Sequence, residues 1–162
     1  MNQPRREARD QIAATNRKAR HDYEIEKTWE AGLVLSGSEV KSLREGTANL
    51  GDGYILARDA ALWLLNVHIQ EYVHANRFNH EPMRPRKLLL HMREIEEITR
   101  QMVEKSRVCI PLSIYFKNGR VKVELVLGTG KKKYDKRADI AKKTAEREAK
   151  SEMDRARKTR GS

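Results

Sequence analysis

The chain is 162 residues long, with 34 Lys or Arg against 23 Asp or Glu, a formal net charge of +11, 38% hydrophobic and 35% charged residues. That length suits one domain with tails rather than two cores, and the charge points to a polyanionic partner, nucleic acid before an anionic membrane surface. No apolar run approaches the roughly 18 residues of a membrane-crossing helix, and the N-terminus lacks the apolar segment of a secretory leader, so a cytoplasmic protein with no membrane partner is expected.

Residues 1–15 carry Arg5, Arg6 and Arg9 without an apolar period and read as a flexible basic arm, with order expected from Asn16. From His21 onward, Tyr23, Ile25 and Lys27 alternate with Asp22, Glu24 and Glu26, the period-2 pattern of a half-buried strand that can run on through Val34. Ser36 and Glu39 have capping-box spacing, Val40 and Leu43 fall on one helical face, and Gly46 is placed to end a helix over roughly 37–45. Within 54–69, apolar runs flank Arg58-Asp59-Ala60-Ala61 and predict a hairpin. In 74–87, Asn76, Asn79, Pro82 and Pro85 break any period among Arg77, Arg84, Arg86 and Lys87, which predicts an irregular cationic loop. Met92, Ile95, Ile98 and Met102 recur at the spacing of a helix with one buried face.

The clearest signal is a pair of alternating runs, Val108, Ile110, Leu112, Ile114, Phe116 and Val121, Val123, Leu125, Leu127, separated by Asn118-Gly119. Both turn residues tolerate positive φ, so a tight hairpin is predicted. After Gly128-Thr129-Gly130, read as a hinge, the composition changes: residues 131–160 hold 13 Lys or Arg and 6 Asp or Glu, a net +7 that leaves +4 for the rest. The apolar stripe of Ile140, Ala141, Ala145, Ala149 and Met153 is too thin for a core, so this segment has helical tendency but is expected to be disordered alone and to order against a polyanion. The fold class expected is mainly β with α, a small, closed antiparallel β-barrel resembling the oligonucleotide-binding type, with flanking helices. Residues 1–15 form the arm, 16–130 the barrel and 131–162 the tail.

Cys109 is the single cysteine, so an intramolecular disulfide is impossible and a Cys-based zinc site lacks ligands. Its apolar neighbours predict a buried residue rather than a nucleophile. His21, His68, His74, His80 and His91 show no ligand spacing, and the glycines before Lys131 do not complete a phosphate loop. No metal, no cofactor and no catalytic residue are expected. Lys and Arg, in contrast, neutralise phosphates whatever the base sequence, and they gather in three places: Arg17, Lys18 and Arg20; Arg84 to Lys87; and Lys131 to Arg137. Asn16 and His21, His80, and Tyr134 accompany them as groups that read or stack on bases.

The strings NRKARHDY (16–23), EAGLVLSGSEVKSLREG (30–46), RPRKLLLH (84–91), IPLSIYFKNG (110–119) and GKKKYDKR (130–137) occur in an order that resembles the SmpB family of SsrA-binding proteins. The resemblance implies a barrel that binds the tRNA-like domain of transfer-messenger RNA and delivers it, charged and with elongation factor Tu bound to the RNA, to stalled ribosomes. It also implies a tail that enters the empty message channel at the decoding site of the small subunit. Carried onto this sequence, the RNA-binding residues are Asn16, Arg17, Lys18, Arg20, His21, Glu30, Arg86, Lys87, Leu90, Lys131, Lys132 and Lys133. The ribosome-binding tail residues are Tyr134, Asp135, Lys136, Arg137, Ile140, Lys142 and Lys143. Some relatives have histidine where Tyr134 stands; a stacking role transfers to tyrosine, a proton-dependent role does not. Glu30 is expected to accept hydrogen bonds from a base rather than to attract phosphate, with a solvent-facing glutamate at a strand bulge as the other reading. A monomer is expected. The alternatives are a structural RNA binder of ribosomal or cold-shock type and, from another class, an RNA-processing enzyme.

Overall fold

The computed structural model describes residues 11–75, 78–130 and 133–160. Residues 1–130 and 131–162 form two separate compact units. In the first, the order is β1 (Ile12–Thr15), α1 (Arg17–Asp22), β2 (Tyr23–Leu33), α2 (Gly37–Arg44), β3 (Ala48–Asn49), β4 (Tyr54–Arg58), β5 (Ala61–Leu65), β6 (His68–Ile69), β7 (Arg86–Leu89), α3 (Met92–Glu104), β8 (Val108–Lys117) and β9 (Arg120–Gly130). The second holds α4 (Lys133–Arg160).

Seven strands make one sheet in the order β1-β8-β9-β2-β7-β5-β4, with every neighbouring pair antiparallel. Among the described residues no ladder joins β4 to β1, so the barrel is OB-like but open, not closed as expected. Alternation in a sequence reports which face is buried; it carries no information on whether the two edges meet.

The curl of this sheet comes from bulges, which bend the bulged strand and increase its twist. Opposite β9, β2 has an extra residue between Ile25 and Lys27 and β8 has one between Pro111 and Ser113; β1 has one between Ile12 and Ala14. Pro111 has no N–H to give to a ladder, and the bulge is where a strand interior tolerates it.

Inside the curl, Trp29, Ala31 and Leu33 of β2, Leu62 and Leu64 of β5, Leu88 of β7, Ile114 and Phe116 of β8, and alternate residues Val121 to Leu127 of β9 form the main core, closed by Leu43 of α2 and Ile98 of α3. A smaller cluster of Ala19, Ile110, Leu112 and Val126 lies on the opposite face of the sheet. Ala19 belongs to α1, so α1 covers the outer face at this end. That is why Leu125, Val126 and Leu127 are buried in succession, where a half-buried strand would alternate. Cys109 is buried in the core, and desolvation pushes its thiol up to about 12.

The predicted elements recur, with β1, α1 and the short strands β3, β6 and β7 added; β7 starts at Arg86, inside the stretch expected to be an irregular loop. The body begins earlier than Asn16, because β1 pairs with β8 and Phe116 N–H donates to the Gln11 carbonyl at 3.1 Å. The short α1 has too few apolar positions to show a period. The capping box at Ser36 and Glu39 is formed, and both turn pairs, Asp59-Ala60 and Asn118-Gly119, have positive φ as a tight hairpin requires. Gly128 is part of the sheet rather than of a hinge: β9 runs through it to Gly130, and a Cβ on Gly128 would lie 2.4 Å from the Glu24 carbonyl oxygen. Gly128 is there so that the bulged stretch of β2 can approach.

The 28 residues of α4 make a helix about 42 Å long at 1.5 Å per residue. Every side chain of 143–156 is exposed, so no packing within the unit supports this stretch, as the thin apolar stripe implied.

Candidate nucleic-acid interface

Asn16 begins the site by fixing α1. Its side-chain oxygen accepts from Ala19 N–H at 3.2 Å as the helix N-cap, its amide donates to the Pro111 carbonyl at 3.0 Å, and its backbone N–H donates to Leu112 O at 2.7 Å. The side chain is buried, with one amide donor and one acceptor committed within the fold, so the structure gives it the task of holding α1 where a free RNA-contacting amide was expected. It holds α1 on the β8 bulge, and α1 in turn displays Arg17, Lys18 and Arg20 on its exposed side. His21 is half-exposed, with Nδ1 2.9 Å from the Asp22 carboxylate.

The same outer face continues along the strands. Val126, under α1, is paired with Thr28; two residues on, Glu124 faces Glu30, and Lys122 faces Tyr115. Positions two apart on a strand share a face, so the α1 cations and Glu30 lie on one surface. Glu30 accepts from the Tyr115 hydroxyl at 2.5 Å and from Lys117 Nζ at 3.3 Å. The Tyr115 hydrogen bond, with Lys117 and Lys122, holds its carboxyl below the usual range against a partial desolvation. Glu30, Lys117, Asn118, Arg120 and Lys122 line a shallow depression at this end. Glu30 is thus an ionised acceptor in a cationic rim, half-exposed and away from the β2 bulge at Ile25–Lys27. Tyr115, Lys117 and Lys122 were not singled out in the sequence. The signal was present, since the alternating hairpin makes them the outward positions, but only the register places them beside Glu30.

The cationic loop divides differently. Arg86 is fully buried and its guanidinium donates to Glu39 and to the carbonyls of Val67 at 2.7 Å and Pro82 at 2.9 Å. It is a structural residue, not an RNA contact, and Arg84 also bonds to Glu39. His80, expected near bases, is buried between Ser38 Oγ at 2.9 Å and the Ile69 carbonyl at 2.8 Å. A sequence cannot separate these from free cations, because their partners are 45 and 47 residues away for the arginines and 42 away for Ser38. Lys87 is exposed, and Leu90 is half-buried against the core. Lys87 meets β2 near Val34, the end opposite α1, and 11 strand residues at about 3.3 Å each separate the two on the order of 30 Å. The α1 cluster and Lys87 are therefore separate patches.

Residues 13–155 match the model of the SmpB protein family. The chain belongs to the SmpB family. Curated relatives include the SsrA-binding protein of Thermobifida fusca (strain YX), 56% identical over 147 residues that cover 91% of this chain and 89% of the relative. The SsrA-binding protein of Desulforudis audaxviator (strain MP104C) is 57% identical over 139 residues, 86% of this chain and 91% of the relative. A solved chain described as "tmRNA-SmpB: a journey to the center of the bacterial ribosome" superposes with a TM-score of 0.64 at 38% identity, covering 80% of this chain and 94% of that one.

The SmpB family match extends well into α4. Lys131 and Lys132 lie outside the described residues; Lys133, Tyr134, Asp135, Lys136, Arg137, Ile140, Lys142 and Lys143 are helical in backbone, and Lys143 is exposed. Among the described residues no group of His, Cys, Asp or Glu could hold a metal ion, and no helix is long and apolar enough to cross a membrane.

Proposed function

We propose that this member of the SmpB family binds the tRNA-like domain of transfer-messenger RNA and delivers it to stalled ribosomes for trans-translation, acting without catalysis. The observation that carries this reading is the common outer face on which α1 presents Arg17, Lys18 and Arg20 in line with the Glu30, Tyr115, Lys117 and Lys122 group. Cations there neutralise phosphates, while the Glu30 carboxylate accepts from base amino or imino groups and so reads rather than attracts. The names of the relatives and of the solved chain support the same partner and the ribosome as its destination. Lys131 to Lys133 supply further phosphate contacts at the tail root. Residues Tyr134 to Lys143 engage the small-subunit decoding site and the empty message channel, with elongation factor Tu joined through the charged RNA.

Sequencing the RNA that co-purifies with the tagged protein tests this directly: transfer-messenger RNA is expected in large excess, and an indiscriminate mixture would return the protein to the structural RNA binders. Labelled RNA incubated with the protein should remain intact. Glu30→Ala should weaken binding of the tRNA-like domain by about tenfold, the scale of one good base contact, while the slope of log affinity on log salt stays fixed. A change mainly in slope would assign Glu30 to the fold rather than to the RNA.

A further inference from the structure

A cleft remains that the outer face does not use. It opens between the start of α2 and the loop after β6 and is lined by Gly37, Ser38, Lys41, Tyr72, His74 and Phe78. Phe78 is 92% exposed. The base of the loop that displays it is firmly held: Asn79 accepts from Tyr72 N–H at 3.1 Å and donates to the Tyr72 carbonyl at 2.9 Å, while His80 is bonded to Ser38 of α2. Tyr72 meets His74 edge-on, with centroids 5.3 Å apart at 70°, and Lys41 Nζ sits 5.6 Å over the Tyr72 ring. Bonds at Asn79 and His80 thus anchor the residues next to an exposed ring that shares a cleft with a cation, with no carboxylate among the lining residues.

We propose that this cleft is a second RNA site, taking one unpaired nucleotide whose base stacks on Phe78 and whose phosphate is neutralised by Lys41. An apolar protein segment would satisfy the ring but leave the ammonium without a counter-charge. A nucleotide satisfies both, because every base has a flat π-face and every phosphate a negative charge. The inference rests on the RNA-binding reading and adds a separate contact to it, since α2 follows the end of β2 opposite α1. One folded RNA with an unpaired base could therefore be held at both ends of the sheet.

The test is equilibrium binding of the full chain to the isolated tRNA-like domain across a salt series. Phe78→Ala should lower affinity by about tenfold with the salt slope unchanged, and Phe78→Trp should restore it, with indole emission quenched by the RNA. Lys41→Ala should reduce the slope by about 0.7 to 0.9. Phe78 is exposed, so thermal unfolding of its variants should match the wild type. Phe78→Ala and Lys41→Ala both binding like wild type would overturn the site alone, and so would rescue by Phe78→Leu as complete as by tryptophan, because leucine cannot stack. A wild-type chain that fails to bind would overturn the RNA reading and this site with it.

Discussion

Glu39 shows how a single side chain organises one end of the body. Burial on its own would raise its carboxyl; the Ser36 N–H, Arg84 and Arg86 more than offset this and hold it below its ordinary value of 4.5. Since the folded pKa is the lower one, the stability Glu39 contributes is complete above the unfolded value and is lost as pH falls through the folded one. Glu39→Gln leaves the Arg86 guanidinium buried without its counter-charge, and chemical denaturation at pH 7 should show a loss of about 3–5 kcal/mol. The variant should also lose part of the wild-type acid sensitivity below about pH 4.5. Asn16 is the second such residue. Asn16→Ala removes a cap worth about 1 kcal/mol and a buried amide donor, so amide exchange should show α1 fraying and RNA affinity should fall. Asn16→Asp retains the cap acceptor but turns a carboxylate toward the Pro111 carbonyl, so partial recovery of α1 protection would separate the two functions of the side chain.

At the scale of elements, the two strands and the turn of the hairpin β8–β9 were legible, because nine alternating apolar positions flank Asn118-Gly119, but the β8 bulge turns Ile110 and Leu112 onto the outer face under α1 while Ile114 and Phe116 stay in the main core. What the pattern hid were the bulges. Each adds one residue to one strand, and a count of alternating positions does not reveal which strand carries it. Gly128 marks one of them. Gly128→Ala should destabilise the protein by on the order of 1–3 kcal/mol, the cost of overpacking, because the new Cβ meets the Glu24 backbone oxygen at 2.4 Å. Gly37→Ala, where nothing lies within 4 Å, is the matched control and should unfold at the wild-type midpoint.

For the whole molecule, the division at Gly130 separates two kinds of stabilisation. The core clusters draw their buried residues from Ala13 to Leu127, whereas the side chains of 143–156 are all exposed. A chain ending at Gly130 should therefore unfold at the same midpoint as the full protein and retain specific binding to the tRNA-like domain, with a salt slope reduced by the lost Lys131 to Lys133 contacts, yet fail to support tagging on stalled ribosomes. Loss of RNA affinity in a gel-shift assay would show that the tail belongs to the primary grip. Isolated helices without packing are marginal in water, so the difference in far-UV circular dichroism between the two chains should fall short of 28 helical residues until RNA or ribosomes are added.

Local spacing and contiguous strings were enough to place the strands of the last hairpin, the capped α2, the one-sided α3 and the basic tail, and to point to the family. Tertiary structure decided what the cations do. Arg17 and Arg86 are equivalent as letters, but one lies on an exposed helix and the other opposite a carboxylate 47 residues away inside the core. It likewise turned Asn16 into a clamp and gathered Tyr115, Lys117 and Lys122 around Glu30, since burial and strand register depend on contacts between distant segments that no local pattern encodes.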